Sequence, residues 1–287
     1  LIQKNVFKHI AENMNQLSKS QKKIANYLLK NANMVPFFKV ATLAKNAGVS
    51  EATVVRFATT LGYSGYPEMQ QHMQASIQQQ LTSMDRLKMS SQVYDDKEKA
   101  IYDIFNDDIS NIKATMENLD VKAFHKAAQL LLDAKKVYIC ANRSTASLGI
   151  FLHYYLDMIL GNSKLLGSSE VIPEQLYSLS EDDVVIGISF ARYSSSTINT
   201  VAYAKEMGAG TISITDNLLS PLFQHSDVTL TASSDMPSFI DSFTAPLSLI
   251  NALIVYLGKE REQEVEIRLI RMEEIWSKFG SFYKTET

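Results

Sequence analysis

Apolar positions follow one period in the first part of this chain and another in the second, with the change near residue 120. Before it, Ile24, Tyr27 and Leu28 share one face of a helix, and Ser18-Lys19-Ser20-Gln21 has the S-x-x-Q spacing of a capping box. Gly and Pro serve only as punctuation there and no alternating pattern appears, so three or four short helices are expected over residues 1–80. From Gln70 to about Leu119 the chain turns polar, with Gln78-Gln79-Gln80, Ser90-Ser91 and Asp95-Asp96. Ile101, Ile104, Phe105, Ile109 and Ile112 nevertheless keep a helical period, which predicts a linker ending in an amphipathic helix. After Asp120, short apolar runs at 137–141, 164–166, 184–189, 211–215 and 228–231 alternate with helical stretches. Such alternation predicts a parallel sheet covered by helices on both faces. A helix rich in both charges closes the chain over about 259–278. The expected division is a helical head at 1–77, a helical linker at 78–120 and an α/β domain with a C-terminal helix at 121–287.

The strongest local signal is residues 40–61. Leu43, Ala44 and Ala47 line one side of a first helix, and Gly48 supplies a residue free to adopt positive φ at its end. Ser50 is placed to cap a second helix, with Val49 and Val54 spaced as a hydrophobic staple. Val54, Phe57, Ala58 and Leu61 then form the buried stripe, leaving Ser50, Thr53, Arg56 and Thr60 on the opposite face. A short, polar, basic helix of this kind suits the major groove of double-stranded DNA, where Arg bridges two acceptors of guanine. Lys45, Ser50, Glu51, Thr53, Arg56 and Thr60 are the candidate DNA-binding residues. The alternative is that two helices joined by a glycine turn simply pack.

Charge bears on that choice. Residues 1–80 hold nine cations against three anions, a net of +6, while the remainder carries a net of −9. A basic head on an acidic body is the asymmetry expected when one end meets polyanionic phosphate. The other bulk properties set limits. A length of 287 residues favours two domains, and 46% hydrophobic with 21% charged residues matches an ordinary globular protein. The apolar run Phe151 to Leu160 is broken by His153 and Asp157 and falls short of the roughly 20 residues that span a bilayer. The opening Leu1-Ile2-Gln3-Lys4 leads into charged residues rather than an apolar signal segment, so a cytoplasmic location is expected. Cys140 is the single cysteine, and the five histidines lack metal-ligand spacing; neither metal nor cofactor is expected.

The words from Gly48 to Phe57 and from Leu61 to Tyr66 closely resemble the N-terminal domain of the RpiR family of sugar-responsive regulators. Ile186-Gly187-Ile188-Ser189-Phe190, Ile214-Thr215-Asp216 and Leu219-Ser220-Pro221-Leu222 resemble the sugar isomerase (SIS) domain that this family carries. The resemblance implies an all-α helix-turn-helix head followed by an α/β, flavodoxin-like domain with a five-stranded parallel sheet. It also implies a phosphorylated sugar as effector, bound outside the carboxyl ends of the strands, where helix N-termini offer free amides to anions. In such domains the loop after the first strand usually reads G-x-G-x-S and that after the third S-x-S-G-x-T. Here the first is Ala141-Asn142-Arg143-Ser144-Thr145 and the second is Ser189-Phe190-Ala191-Arg192-Tyr193-Ser194, extended by Ser195, Ser196 and Thr197. The hydroxyls remain and the glycines do not. Ser144, Thr145, Ser189, Ser194, Ser196 and Thr197 are therefore candidate ligands, with Arg143 and Arg192 standing where the common pattern has glycine. The arginines either clasp a phosphate bidentately or plug the pocket and pair with an acid; the hydroxyls also suit plain helix capping.

Weaker candidates remain. His153 and Asp157 lie one turn apart on an apolar helix and read as a structural pair, while Glu170 and Glu174 follow the second strand, where related isomerases place a carboxylate base. Glu170 is carried as a ligand candidate. Gly208-Ala209-Gly210 precedes a strand, the wrong order for a dinucleotide fingerprint, and reads as a helix stop. The reading is thus a DNA-binding transcriptional regulator of carbohydrate metabolism, not an enzyme, assembled as a homodimer or tetramer and without a membrane partner. A sugar-phosphate isomerase recruiting Glu170 and His153 and a pure dimerising scaffold are the alternatives.

Overall fold

The computed structural model describes residues 6–77 and 81–283; the opening Leu1-Ile2-Gln3-Lys4 and the glutamine run 78–80 lie outside the described residues. The chain forms two compact units, Leu1–Phe105 with Met236–Asp241, and Asn106–Asp235 with Ser242–Thr287.

In the first unit run α1 (Val6–Glu12), α2 (Lys19–Lys30), α3 (Val40–Ala47), α4 (Glu51–Thr60), α5 (Tyr66–Ile77) and α6 (Ser83–Val93), followed by the start of α7 (Lys97–Glu117). Among the described residues of the first 80, five α-helices form rather than three or four. α1 escaped the periodicity because only Val6 and Ile10 anchor it, two positions being too few to define a face. The capping box of α2 forms as its spacing predicts: Gln21 N–H donates to Ser18 Oγ at 3.3 Å, and Ser18 N–H donates to Gln21 Oε1 at 2.9 Å. Ile24, Leu28, Leu43, Val54, Phe57, Met69 and Met73 close the core, each fully buried and each worth roughly 1.5–3 kcal/mol.

α6 was hidden within the polar linker. Its cap pairs Thr82 with Asp85, whose N–H donates to Thr82 Oγ1 at 3.1 Å, while Ser90-Ser91 gives its middle the composition of a loop. α7 is a helix where the apolar period predicts one, but its apolar stripe is not its packed face. Ile101, Phe105 and Ile109 are 58%, 65% and 48% exposed, and the buried positions are Asn111 and Thr115.

The second unit continues with α8 (Val121–Asp133), β1 (Val137–Ala141), α9 (Ala146–Leu160), β2 (Ser163–Leu165), α10 (Ile172–Gln175), β3 (Val184–Ile188), α11 (Ser195–Glu206), β4 (Gly210–Thr215), β5 (Val228–Thr231), α12 (Thr244–Glu260) and α13 (Glu262–Phe279). All five strands pair in parallel in the order β2-β1-β3-β4-β5, so every carboxyl end lies on one edge. Strand alternation sorts the side chains. Val137, Ile139, Ile186, Ile188 and Ile212 pack under α8, α9 and α12, while Tyr138, Cys140 and Val185 pack under α10 and α11. Burial on both faces is why these strands read as continuous apolar runs. Gly187 faces α11 so closely that a Cβ would collide with Val201, which explains a glycine in mid-strand. The charged closing helix expected over about 259–278 is α13, which is set off from α12 at Arg261, whose guanidinium donates to Leu132 O and Glu264 Oε1.

Candidate functional site

The helix-turn-helix is built from α3 and α4. Gly48 takes the left-handed conformation (φ 65°, ψ 47°), its N–H donates to Lys45 O at 3.2 Å, and the next N–H, of Val49, donates to Ala44 O at 3.0 Å. These bonds satisfy the last carbonyls of α3 and reverse the chain. The predicted stripe is buried, with Val54, Phe57 and Ala58 at 0% exposure and Leu61 at 7%. On the outer side Lys45, Ser50, Glu51, Arg56 and Thr60 are exposed and Thr53 is half-buried. Ser50 does not cap α4 as its position suggested. Its backbone is extended, as an N-cap requires, but its hydroxyl pairs with Thr53 Oγ1 at 2.8 Å, because both stand on the outer face one turn apart. Thr60 is also committed: its hydroxyl donates to Arg56 O at 2.8 Å and accepts from Gln21 Nε2 at 2.8 Å. Arg56 and Lys45 are therefore the cations on this surface with extended reach.

At the carboxyl edge of the sheet, the order in which strands are added reverses between parallel neighbours β1 and β3, and the loops after them lie side by side. Thr145 Oγ1 lies 2.8 Å from Asn142 O and 3.1 Å from Ile188 O, joining the first loop to the end of β3. Asn142 Nδ2 donates to Thr197 Oγ1 at 2.9 Å, joining the first loop to α11. Ser189 Oγ accepts the Ser194 N–H at 3.0 Å, and Ser194 Oγ accepts the Thr197 N–H at 3.4 Å as the cap of α11. Thr145, Ser189 and Thr197 are buried. Four of the six candidate hydroxyls thus hold the two loops in shape, whereas Ser144 is exposed and Ser196 half-buried.

Arg143 and Arg192 are the non-glycine residues with positive φ among the described residues, at 61° and 64°. Each precedes a helix, α9 or α11, and each is exposed. An L-residue in this region costs roughly 1–2 kcal/mol. At both positions the backbone makes the turn that glycine usually serves, with a cation as the side chain. The Arg143 guanidinium makes no hydrogen bond or ion pair with described residues, so the acid-paired plug is not formed by this residue.

Sequence reasoning missed a buried pair beside these loops. Tyr193 Oη lies 2.8 and 3.1 Å from the carboxylate oxygens of Asp216, which also accept from Thr215 Oγ1 at 3.0 Å and Asn217 Nδ2 at 2.9 Å. Burial pushes the Asp216 carboxyl above the usual aspartate range against these bonds, and burial together with the Asp216 charge pushes the Tyr193 phenol up. An acid placed directly after a buried strand was the available signal. The weaker candidates disperse. His153 Nδ1 lies 2.8 Å from Ser163 Oγ at the start of β2, on the amino edge, rather than pairing with Asp157. Glu170 and Glu174 are exposed near the carboxyl end of β2. An isomerase that recruits His153 with Glu170 would need an acid and a base from opposite edges of the sheet. Among the described residues no cluster of His, Cys, Asp or Glu suits a metal, and no helix is long and apolar enough to cross a membrane.

Comparison with known proteins agrees with both halves. Residues 4–80 match the helix-turn-helix domain of the rpiR family, and residues 130–256 match the SIS domain. A helix-turn-helix transcriptional regulator of Caldanaerobacter subterraneus subsp. tengcongensis is 28% identical over 278 residues, covering 93% of this chain and 95% of its own. The transcriptional regulator HexR of Pseudomonas aeruginosa is 24% identical over 278 residues, covering 94% and 95%. Among solved structures, Vibrio vulnificus NanR complexed with ManNAc-6P superposes with a TM-score of 0.57 at 21% identity, over 96% of this chain and 99% of that one. The sugar isomerase domain of an RpiR transcription factor from Sphaerobacter thermophilus gives a TM-score of 0.57 at 24% identity, over 60% and 97%.

Proposed function

We propose, from the premise that this chain belongs to the rpiR family of helix-turn-helix proteins and carries a SIS domain, that it is a cytoplasmic transcriptional regulator of carbohydrate metabolism whose operator affinity is set by a phosphorylated sugar. Residues 1–77 read DNA, 78–120 connect, and 121–287 sense. The observation that carries the sensing half is the pair of left-handed arginines, Arg143 and Arg192, at the amino ends of α9 and α11. A phosphate dianion placed at the switch between β1 and β3 meets free helix amides, the Ser144 and Ser196 hydroxyls, and two guanidiniums able to bind oxygens in pairs. Thr145, Ser189, Ser194 and Thr197 support that cradle, and exposed Glu170 is available to sugar hydroxyls. A sensor is favoured over an isomerase that recruits His153 with Glu170, because those two side chains lie at opposite edges of the sheet.

The test is a thermal-shift screen of hexose, pentose and amino-sugar phosphates with inorganic phosphate as control. A cognate compound is expected to raise the melting temperature in wild type and not in Arg143→Ala or Arg192→Ala. If no sugar phosphate shifts the wild type and the arginine variants lower the melting temperature without ligand, the pocket is plugged and the sensing role falls.

The regulator acts as a homodimer or a dimer of dimers, since one head contacts too little DNA for tight operator binding. Supporting this, α13 has no buried residue over 18 positions and, with α9, frames a groove of about 440 Å³ whose apolar lining from Ile150, Met158, Met272 and Ile275 is interleaved with His153, Asp157, Arg268 and Arg271. A second copy is the occupant that α13, with Ile267 and Ile270 also exposed, fits best. Ile270→Asp is expected to shift the sedimenting species toward monomer; an unchanged distribution places the contact elsewhere.

A further inference from the structure

The connection from β5 to α12 is a closed loop with two differently held parts. At its neck, Ser242 N–H donates to Ser234 O at 3.0 Å. Three positions on one face of α7 fasten that neck. Asn111 Nδ2 donates to Asp235 O at 2.7 Å and Asn111 Oδ1 accepts from Ser233 Oγ at 2.7 Å; Thr115 Oγ1 accepts the Ser233 N–H at 2.9 Å; Asp108 accepts from Ser242 Oγ at 2.5 Å. This accounts for the buried polar face of α7. The neck belongs to the second unit and hangs directly from the carboxyl end of β5.

The tip, residues 236–241, belongs to the first unit. There Arg86 of α6 donates through Nε to Ser238 O at 2.8 Å and through Nη2 to Ile240 O at 2.8 Å, and Nη2 pairs with Asp241 Oδ1 at 2.6 Å. The Arg86 and Asp241 side chains are only 12% and 18% exposed. One guanidinium thus holds two carbonyls and a carboxylate of a six-residue segment, a geometry that lysine cannot reproduce.

We propose that this loop is the transmission strap of the regulator: Arg86 locks its tip to α6, so that a change at the carboxyl edge of the sheet passes through the neck to the helix that leads back to the DNA-reading head. The proposal rests on the sugar-sensing reading for what causes the change; its path runs from the loop after β3 through the Phe190–Phe243 ring contact, centroids 5.6 Å apart, to the neck and tip contacts above. Arg86 is a positioning residue and touches neither DNA nor effector.

Hydrogen exchange on the full chain tests it, with and without N-acetylmannosamine 6-phosphate, glucose 6-phosphate or inorganic phosphate as probes. Without any probe, Arg86→Ala is expected to speed exchange about tenfold at 236–241 and onward through 232–235 and the start of α12, while α3, α4 and β1 keep their protection. Arg86→Lys, which preserves charge, is expected to fall between the two. If exchange in Arg86→Ala rises only at the tip, or nowhere, the strap transmits nothing and the proposal is overturned. When a probe protects the 143–147 and 189–197 loops, α6 is expected to respond in wild type and not in Arg86→Ala. A wild type whose loops respond while α6 stays silent also overturns the strap and leaves sugar sensing standing. If no probe protects the loops, the sensing reading loses its support and the probe-free comparison alone decides the strap.

Discussion

Asn142 donates from its side-chain amide to Thr197 Oγ1 across 2.9 Å, and that bond ties the loop after β1 to the first turn of α11, 55 residues further along. Thr197 has no exposed surface, so its hydroxyl has no water to turn to. Asn142→Ala is expected to lower stability by roughly 1–3 kcal/mol, the range for a buried polar group that loses its partner. Thr197→Val should cost less, because half-buried Asn142 can reach solvent. Urea unfolding of both variants measures the difference; equal losses would mean that packing, not the bond, joins the loops.

The left-handed arginines make a second, opposite prediction. Glycine relieves roughly 1–2 kcal/mol of backbone strain at φ near 60°, and its greater freedom in the unfolded chain takes back roughly 0.5–1 kcal/mol. Arg143→Gly and Arg192→Gly are therefore expected to leave the unliganded protein as stable as wild type or slightly more so, while removing the response to sugar phosphate. Calorimetry with and without ligand reads both quantities. A marked loss of unliganded stability would show that the guanidiniums hold the fold.

On the head, Arg56→Ala is expected to cost roughly 1–3 kcal/mol of operator binding and to flatten preference at one base position, as for a bidentate contact to guanine. Lys45→Ala should weaken all sequences alike and reduce the salt dependence. Selection of bound sequences from a random pool, followed by titration at two salt concentrations, separates the two. Unchanged affinity and preference in Arg56→Ala would mean that α4 meets DNA by another face.

Asp227 predicts the acid limb of stability. Burial pushes its carboxyl up, but the Lys205 ammonium together with the N–H and hydroxyl of Thr211 outweighs burial and holds it below the ordinary aspartate value. A carboxyl depressed in the folded state contributes stability above its unfolded value and loses it as pH falls through the folded value. Wild type is expected to lose melting temperature in that acidic window more steeply than Asp227→Asn, which should start lower at neutral pH and respond less. Parallel slopes for the two proteins would remove Asp227 from the account.

The sequence alone determined the order of elements wherever burial was one-sided or complete. Val54, Phe57 and Ala58 mark a helix with one dry face, and Val184 to Ile188 mark a strand with two, because apolar periodicity records how many faces meet the core. It also located the turn at Gly48 and both loops at the sheet edge. Where polar groups do the packing, no such pattern forms. Asn111 and Thr115 are buried on α7 because a loop more than a hundred residues away supplies their partners, and the apolar stripe beside them faces outward. The tertiary structure alone decided that four hydroxyls brace the loops, that Arg143 and Arg192 stand in a glycine conformation, and that Arg86 finds Asp241, 155 positions on. Each depends on a partner or backbone angle set by the packed surroundings, and side-chain identity at one position does not encode either.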